Sequence, residues 1–227
     1  MRNYLTLSLG LVAGLAIASN AEAMTHYVRA QLAPSAPATS LLAQTAAAAA
    51  PVLSLDDLPE GFQELPPTVA NQLAAQLEAL SGQLSQNGVE PEGLFVYYNP
   101  TTFEIIAGLT SEIADPAGFD ANLTNFEDEA VREELFAQVQ GQLESVGPIS
   151  VEGYEYLADM ADLADKSAGV GVNMQLMNQA FRADITTFRR GSTGAVAAVI
   201  YRANSAPDFT LRNLAETLDS KLAMVAE

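Results

Sequence analysis

The chain has 227 residues, no cysteine, one histidine and a formal net charge of −18. Without cysteine there are no disulfides, no thiolate metal sites and no cysteine-linked lipid anchor. So acidic a surface repels phosphate backbones and anionic headgroups, which argues against nucleic acid and charged membranes as partners.

The start reads Met1-Arg2, then an uncharged, largely apolar run from Tyr4 to Ala18, then Ala21-Glu22-Ala23. A short basic region, an apolar core and a small-x-small site, in that order, predict a secretory signal cleaved after Ala23. The apolar run is about 15 residues, short of the roughly 20 that a membrane-spanning helix requires. Residues 24–51 are rich in Ala, Pro, Ser, Gln and Thr and follow neither helix nor strand period. They read as a disordered tether, because too little apolar surface is available to offset the entropy of ordering them. Residues 52–227 then form a single domain of ordinary size.

Leu58-Pro59-Glu60-Gly61-Phe62 opens the domain with a turn leading into a short edge segment. Pro66-Pro67-Thr68 starts a helix whose stripe is Val69, Leu73, Leu77, Leu80 and Leu84, and Asn87-Gly88 ends it. Leu94–Tyr98 and Phe103–Leu109 are strands of a hairpin around Asn99-Pro100-Thr101-Thr102. Asp115-Pro116 reads as a breaker. A second helix follows, with Asn125 as N-cap, Glu127, Asp128 and Glu129 in the first turn, and Val131, Leu135, Val139 and Leu143 as its stripe. Ile149–Leu157 and Gly169–Met177 read as strands, with Ala158–Lys166 open between a helical turn and a loop. Phe181–Arg189 and Ala195–Arg202 make a last hairpin. A four-residue loop, Gly191-Ser192-Thr193-Gly194, would set Arg190 opposite Ala195 and Arg202 opposite Ala183. Both faces of this hairpin are largely apolar, so it should be covered on both sides. A final helix is capped by Thr210 and repeats Leu211, Leu214, Ala215, Leu218, Leu222 and Val225. The expected fold class is α/β (α+β), a mostly antiparallel sheet with helices on both faces.

The residues that usually carry catalysis are sparse. His26 is the only histidine and falls in the tether, where a general base has no fixed position; serine, cysteine and zinc mechanisms that need histidine fall with it. Gly191-Ser192-Thr193-Gly194 does not match the G-x-S-x-G elbow and joins two strands, so a hairpin turn explains it. Gly169-Val170-Gly171 lacks the Gly-Lys-Ser ending of a phosphate loop. From Pro51 to Asp165 there are 22 acids and a single base, Arg132, whereas Lys166 to Glu227 holds 7 bases and 5 acids. Asp159, Asp162 and Asp165 stand three apart and are the candidate site for a divalent cation such as calcium or manganese. A solvated acidic loop explains the same spacing, which differs from that of a D-x-D-x-D-G calcium loop. Arg182, Arg189, Arg190 and Arg202, all on the last hairpin, are the candidates for binding an anion or an acidic partner. Pairing with the acidic half of the same domain is the competing account.

Three landmarks carry a resemblance: Leu58-Pro59-x-Gly61-Phe62, Leu163-Ala164-Asp165-Lys166-Ser167-Ala168-Gly169, and Phe188-Arg189-Arg190-Gly191 leading into Ala195–Tyr201. Together they resemble a family of exported cyanobacterial proteins. The second landmark is similar to the G-D-x-S turn of PsbP-like lumenal proteins and some bacterial sensor domains, with Ala164 standing where glycine is usual. The resemblance implies an α/β/α sandwich that is generally non-enzymatic and serves as an accessory or ligand-sensing module. The expected function is therefore an extracytoplasmic accessory or binding protein, without catalysis or a cofactor of its own, whose partner is another protein or a small ligand. Two alternatives stand beside it: a divalent-cation-binding envelope protein, and a hydrolase working with carboxylates alone. Periplasm, thylakoid lumen and external medium are equally compatible with export.

Overall fold

The computed structural model describes residues 52–66, 90–146, 149–176 and 178–225. The expected signal peptide, the tether and the first expected helix lie outside the described residues.

Seven strands form one antiparallel sheet: β1 (Gln63–Glu64), β2 (Glu90–Asn99), β3 (Glu104–Glu112), β4 (Ile149–Tyr156), β5 (Lys166–Leu176), β6 (Gln179–Arg190) and β7 (Thr193–Arg202). Their order across the sheet is β1-β2-β3-β7-β6-β5-β4. Among the described residues three helices accompany them: α1 (Pro116–Asn125), α2 (Glu129–Val146) and α3 (Leu211–Val225). The protein is therefore of mixed α/β class. No described helix is long and apolar enough to cross a membrane.

The β2–β3 hairpin forms as the apolar runs predict; β2 is longer at both ends, β3 begins one residue later than expected and runs on to Glu112, and Asn99 stands opposite Glu104. Asn99 builds its turn. Its side-chain oxygen accepts from the amide of Thr101 at 3.0 Å, while its carbonyl accepts from the amide of Phe103 at 2.9 Å. The short β1, entered from Gly61 at φ 101, pairs with the end of β2 at the sheet's edge.

The β6–β7 hairpin differs from the expected register. Arg190 faces Thr193, not Ala195, and Arg202 faces Phe181, not Ala183. The loop has two residues, Gly191 and Ser192, with Gly191 at φ 59, the position where a type II′ turn takes glycine. The shift is an even number of residues, so every side chain keeps its face.

Those faces define two apolar clusters. One gathers Val196, Ala198 and Ile200 of β7 with Ala183 and Ile185 of β6, Val170 and Val172 of β5, and Phe119, Leu123 and Phe126 from α1 and its end. Val131 and Phe136 of α2 pack against it. The other gathers Ala195, Ala197, Val199 and Tyr201 of β7 with Phe188, Ile106 and Phe95, and with Leu211, Leu214, Ala215, Leu218 and Leu222 of α3. Alternation along β7 thus feeds both clusters from one strand.

Asp115-Pro116 does not simply break the chain. Asp115 caps α1, accepting from the Gly118 amide at 3.0 Å, and Pro116 occupies the first turn, where a missing N–H costs nothing. Asn125 is the last residue of α1 and not the cap of α2. That second helix begins beyond Asp128, whose carboxylate accepts from the amide of Ala130 at 2.9 Å. The segment before β5 contains a 3-10 turn, Ala158–Met160, and Ala164 at φ 56, a left-handed conformation that favours glycine. Buried Ser167 holds this turn together: its hydroxyl donates to the Met160 carbonyl at 2.6 Å and accepts from the Leu163 amide at 3.1 Å.

Candidate functional site

Adjacent residues on a strand point to opposite faces, so Arg189 and Arg190 diverge at the β6–β7 turn. Arg189 reaches α1, where its Nε and Nη2 grip the two oxygens of Asp120 at 2.8 and 2.7 Å, and its Nη1 donates to the Gly191 carbonyl at 2.7 Å. Arg190 reaches α3, gripping Asp219 through Nε at 2.8 Å and through Nη2. Between them sits Asp165, accepting from Arg189 at 3.3 Å, from Arg190 at 3.1 Å and from the Gly191 amide at 2.9 Å. Paired forks of this kind are the strong form of the ion pair, fixed in geometry as well as charge. The hydrogen bonds from Arg189 hold the Asp120 carboxyl below its usual range. Arg189 and Arg190 thus fasten a helix of each apolar cluster to one turn.

Arg182 lies one strand-length away over Gly171. It binds Asp184 at 2.7 Å and Glu155 at 3.0 Å, and Asp184 also accepts from the Tyr201 hydroxyl at 2.7 Å. Gly171 makes room for this group: a Cβ there would stand 2.4 Å from Arg182 Nη2 and 2.8 Å from Asp184 Oδ1. Burial, reinforced by the Asp184 carboxylate, pushes the Tyr201 phenol up to about 12, so it stays a hydrogen-bond donor at physiological pH.

The three candidate metal-ligating aspartates are not gathered into one ligand set; among the described residues no group of three His, Cys, Asp or Glu could hold a metal ion. Asp165 belongs to the arginine cluster. Asp162 binds Arg212 of α3 at 2.8 Å, which holds its carboxyl below the ordinary value, and the Asp159 carbonyl also accepts from Arg212.

Arg202 stands apart from the other three arginines. Its guanidinium lies 3.9 Å from the centroid of the Phe103 ring, and no ion pair joins it to any carboxylate among the described residues. Its Nε is shielded from solvent and has no hydrogen-bond partner among those residues. Glu104, next in sequence to Phe103, is fully buried on the opposite face with Ile106. It is already engaged, accepting from the Asp208 amide at 2.8 Å and the Thr102 hydroxyl at 2.8 Å.

Sequence reasoning named Arg182, Arg189, Arg190, Arg202, Asp162 and Asp165 but missed Arg212, Asp120, Asp184, Tyr201, Asp219 and Glu104. Only Asp184 carried a local signal, two residues from Arg182 and hence on the same face of β6. No protein-family model matches this chain, and a search of curated proteins finds no significant match.

Proposed function

We propose that this is an exported accessory protein that binds a partner through its acidic surface and has no catalysis of its own. One observation carries the reading. Of the eight Lys and Arg residues described, six are ion-paired with the domain's own carboxylates: Lys166, Arg182, Arg189, Arg190, Arg212 and Lys221. The acids outnumber them, and Glu92, Glu112, Glu129 and Glu133 lie exposed. What the domain offers to a neighbour is therefore negative charge, on β2 and β3 and on helix α2, which recruits a basic protein face by long-range attraction. The division of the core into two clusters, one with α1 and one with α3, supports a three-layer sandwich of the PsbP-like kind. The left-handed Ala164, at the position that takes glycine in the G-D-x-S turn, supports the same resemblance.

Two measurements test it. The first is amino-terminal sequencing of the protein recovered from fractionated native cells. A start at Met24 outside the cytoplasm supports export, and a start at Met1 in the cytosol overturns it. The second is crosslinked capture with the wild type and with Glu129→Lys/Glu133→Lys. A partner released by salt and lost in the variant supports the reading; equal capture by both, at every salt concentration, overturns it.

A further inference from the structure

We infer that Arg202 anchors an anion-binding site, for a carboxylate- or phosphate-type oxyanion, at the end of the sheet away from the β6–β7 turn. This is independent of the acidic-surface reading and opposite to it in charge. The argument begins with what surrounds the guanidinium. Arg189, Arg190, Arg182 and Arg212 each have at least one carboxylate within 3.0 Å, so this fold does not lack acids with which to neutralise arginine. Arg132, the other arginine without an ion pair among the described residues, donates instead to the carbonyls of Phe126 and Glu127 at 3.1 and 2.7 Å. Arg202 has neither kind of acceptor among the described residues, and its Nε is buried without a partner. An ionised donor sequestered from water without an acceptor is costly, and an arriving oxyanion removes that cost.

The guanidinium is also held in place. Phe103 lies beneath it at 3.9 Å and takes φ 62, a left-handed conformation unusual for an aromatic residue, at the close of the β2–β3 turn. Strained backbone of this kind clusters at ligand clamps, because it fixes a side chain that the relaxed chain would release. Across the strand pair, Arg202 faces Phe181, which is partly buried, as is Phe103. Arg202 as a residue is part-exposed, although its Nε is shielded, so the side chain is not sealed off as a whole. A planar cation on an aromatic face, with a second aromatic residue paired opposite it across the strands, suits an oxyanion carried on an apolar or aromatic body.

The test is side-chain NMR of the full chain with 15N-labelled arginine, titrated at low ionic strength with inorganic phosphate and, separately, with benzoate. The Nε–H resonance of Arg202 should move saturably with at least one probe, while those of Arg189 and Arg190 stay fixed. Tighter response to benzoate identifies a carboxylate on an aromatic body; response to phosphate alone identifies a bare or phosphate-borne oxyanion. Arg202→Met, which keeps the stem over Phe103 and removes the charge, should weaken binding about tenfold or more, the loss of a charge-assisted bond. Lys166→Met, which removes a cation already paired with Glu127, should leave it unchanged. An Arg202 resonance unmoved by both probes, movement shared equally by the paired arginines, or undiminished binding by Arg202→Met would overturn the assignment. The wild-type titration decides the matter even where the Met variant does not fold.

Discussion

Arg189→Met tests whether the cluster at the β6–β7 turn holds the helices to the sheet. The arginine side chain is 13% exposed and makes a two-point bridge to Asp120, whose side chain is 35% exposed. An exposed ion pair contributes about 0–1 kcal/mol, and hydrogen bonds to a charged, well-buried group about 1.5–3 kcal/mol. With one partner largely covered and the other partly wet, the loss should fall between these, at about 2 kcal/mol. For a domain of this size that lowers Tm by about 4–8 °C. Thermal and urea unfolding, followed by circular dichroism, measure it. A pH arm separates electrostatics from packing. Arg189 depresses the Asp120 carboxyl in the folded state, so its contribution is present above the ordinary aspartate value of about 3.9 and is lost as pH falls through the depressed one. The gap between wild type and variant should accordingly be full at pH 7 and narrow steadily below about pH 4. A loss under about 0.5 kcal/mol, or a gap that keeps its size to pH 2, would refute the reasoning and reassign the effect to packing of the arginine stem.

Three further outcomes are expected. Gly108→Ala should cost about 1–3 kcal/mol or prevent folding, because a Cβ there would stand 2.4 Å from Phe95 Cζ and 2.5 Å from the Val196 carbonyl oxygen, which the sheet cannot move aside; urea unfolding measures it, and an unchanged midpoint would show that β3 sits elsewhere. Ala164→Gly should stabilise by about 0.5 kcal/mol, since relief of a left-handed alanine is worth about 1–2 kcal/mol and glycine's extra unfolded-state freedom takes part of it back; a lower Tm would contradict the backbone geometry. Tyr201→Phe should matter most in alkali. With a folded value of about 12, the wild-type phenol contributes stability that is intact below its ordinary value near 10 and lost as pH rises towards 12, so the variant should be less sensitive over that range. Equal alkaline melting curves for both proteins would remove Asp184 as its partner.

What the sequence disclosed follows from the range of the interactions involved. Period-two alternation placed Val196, Ala198 and Ile200 on one face and Ala197, Val199 and Tyr201 on the other, and these assignments stand although the loop is shorter than expected. The final helix was legible because Leu211, Leu214, Ala215, Leu218 and Leu222 repeat over its full length, and all are buried. Helix α1 was not. Its buried residues are only Phe119 and Leu123, and Pro116 and Gly118 read as loop when the capping role of Asp115 is not considered. The arginine partners are a different case. Asp120 and Asp219 reach Arg189 and Arg190 only after the chain has folded, and no local pattern distinguishes them from the exposed acids around them. The isolation of Arg202 is equally non-local, since it depends on which acids are engaged elsewhere.

The strand order has a kinetic consequence. β4 to β7 follow one another as a continuous meander, and β2 and β3 form a hairpin of their own; every pairing within these units joins neighbours in sequence. The single exception is β3 with β7, where Ile105 meets Ile200. Closing that seam forfeits far more chain entropy than closing any hairpin, so it should set the folding rate. Because β7 comes last of the strands in chain order, a growing chain leaves the β2–β3 hairpin with an open edge until the whole β4–β7 meander has been synthesised. Mutations at the seam, such as Ala198→Gly, should therefore slow refolding more than equally destabilising changes at the β4–β5 edge, and stopped-flow refolding would show which unit waits for the other.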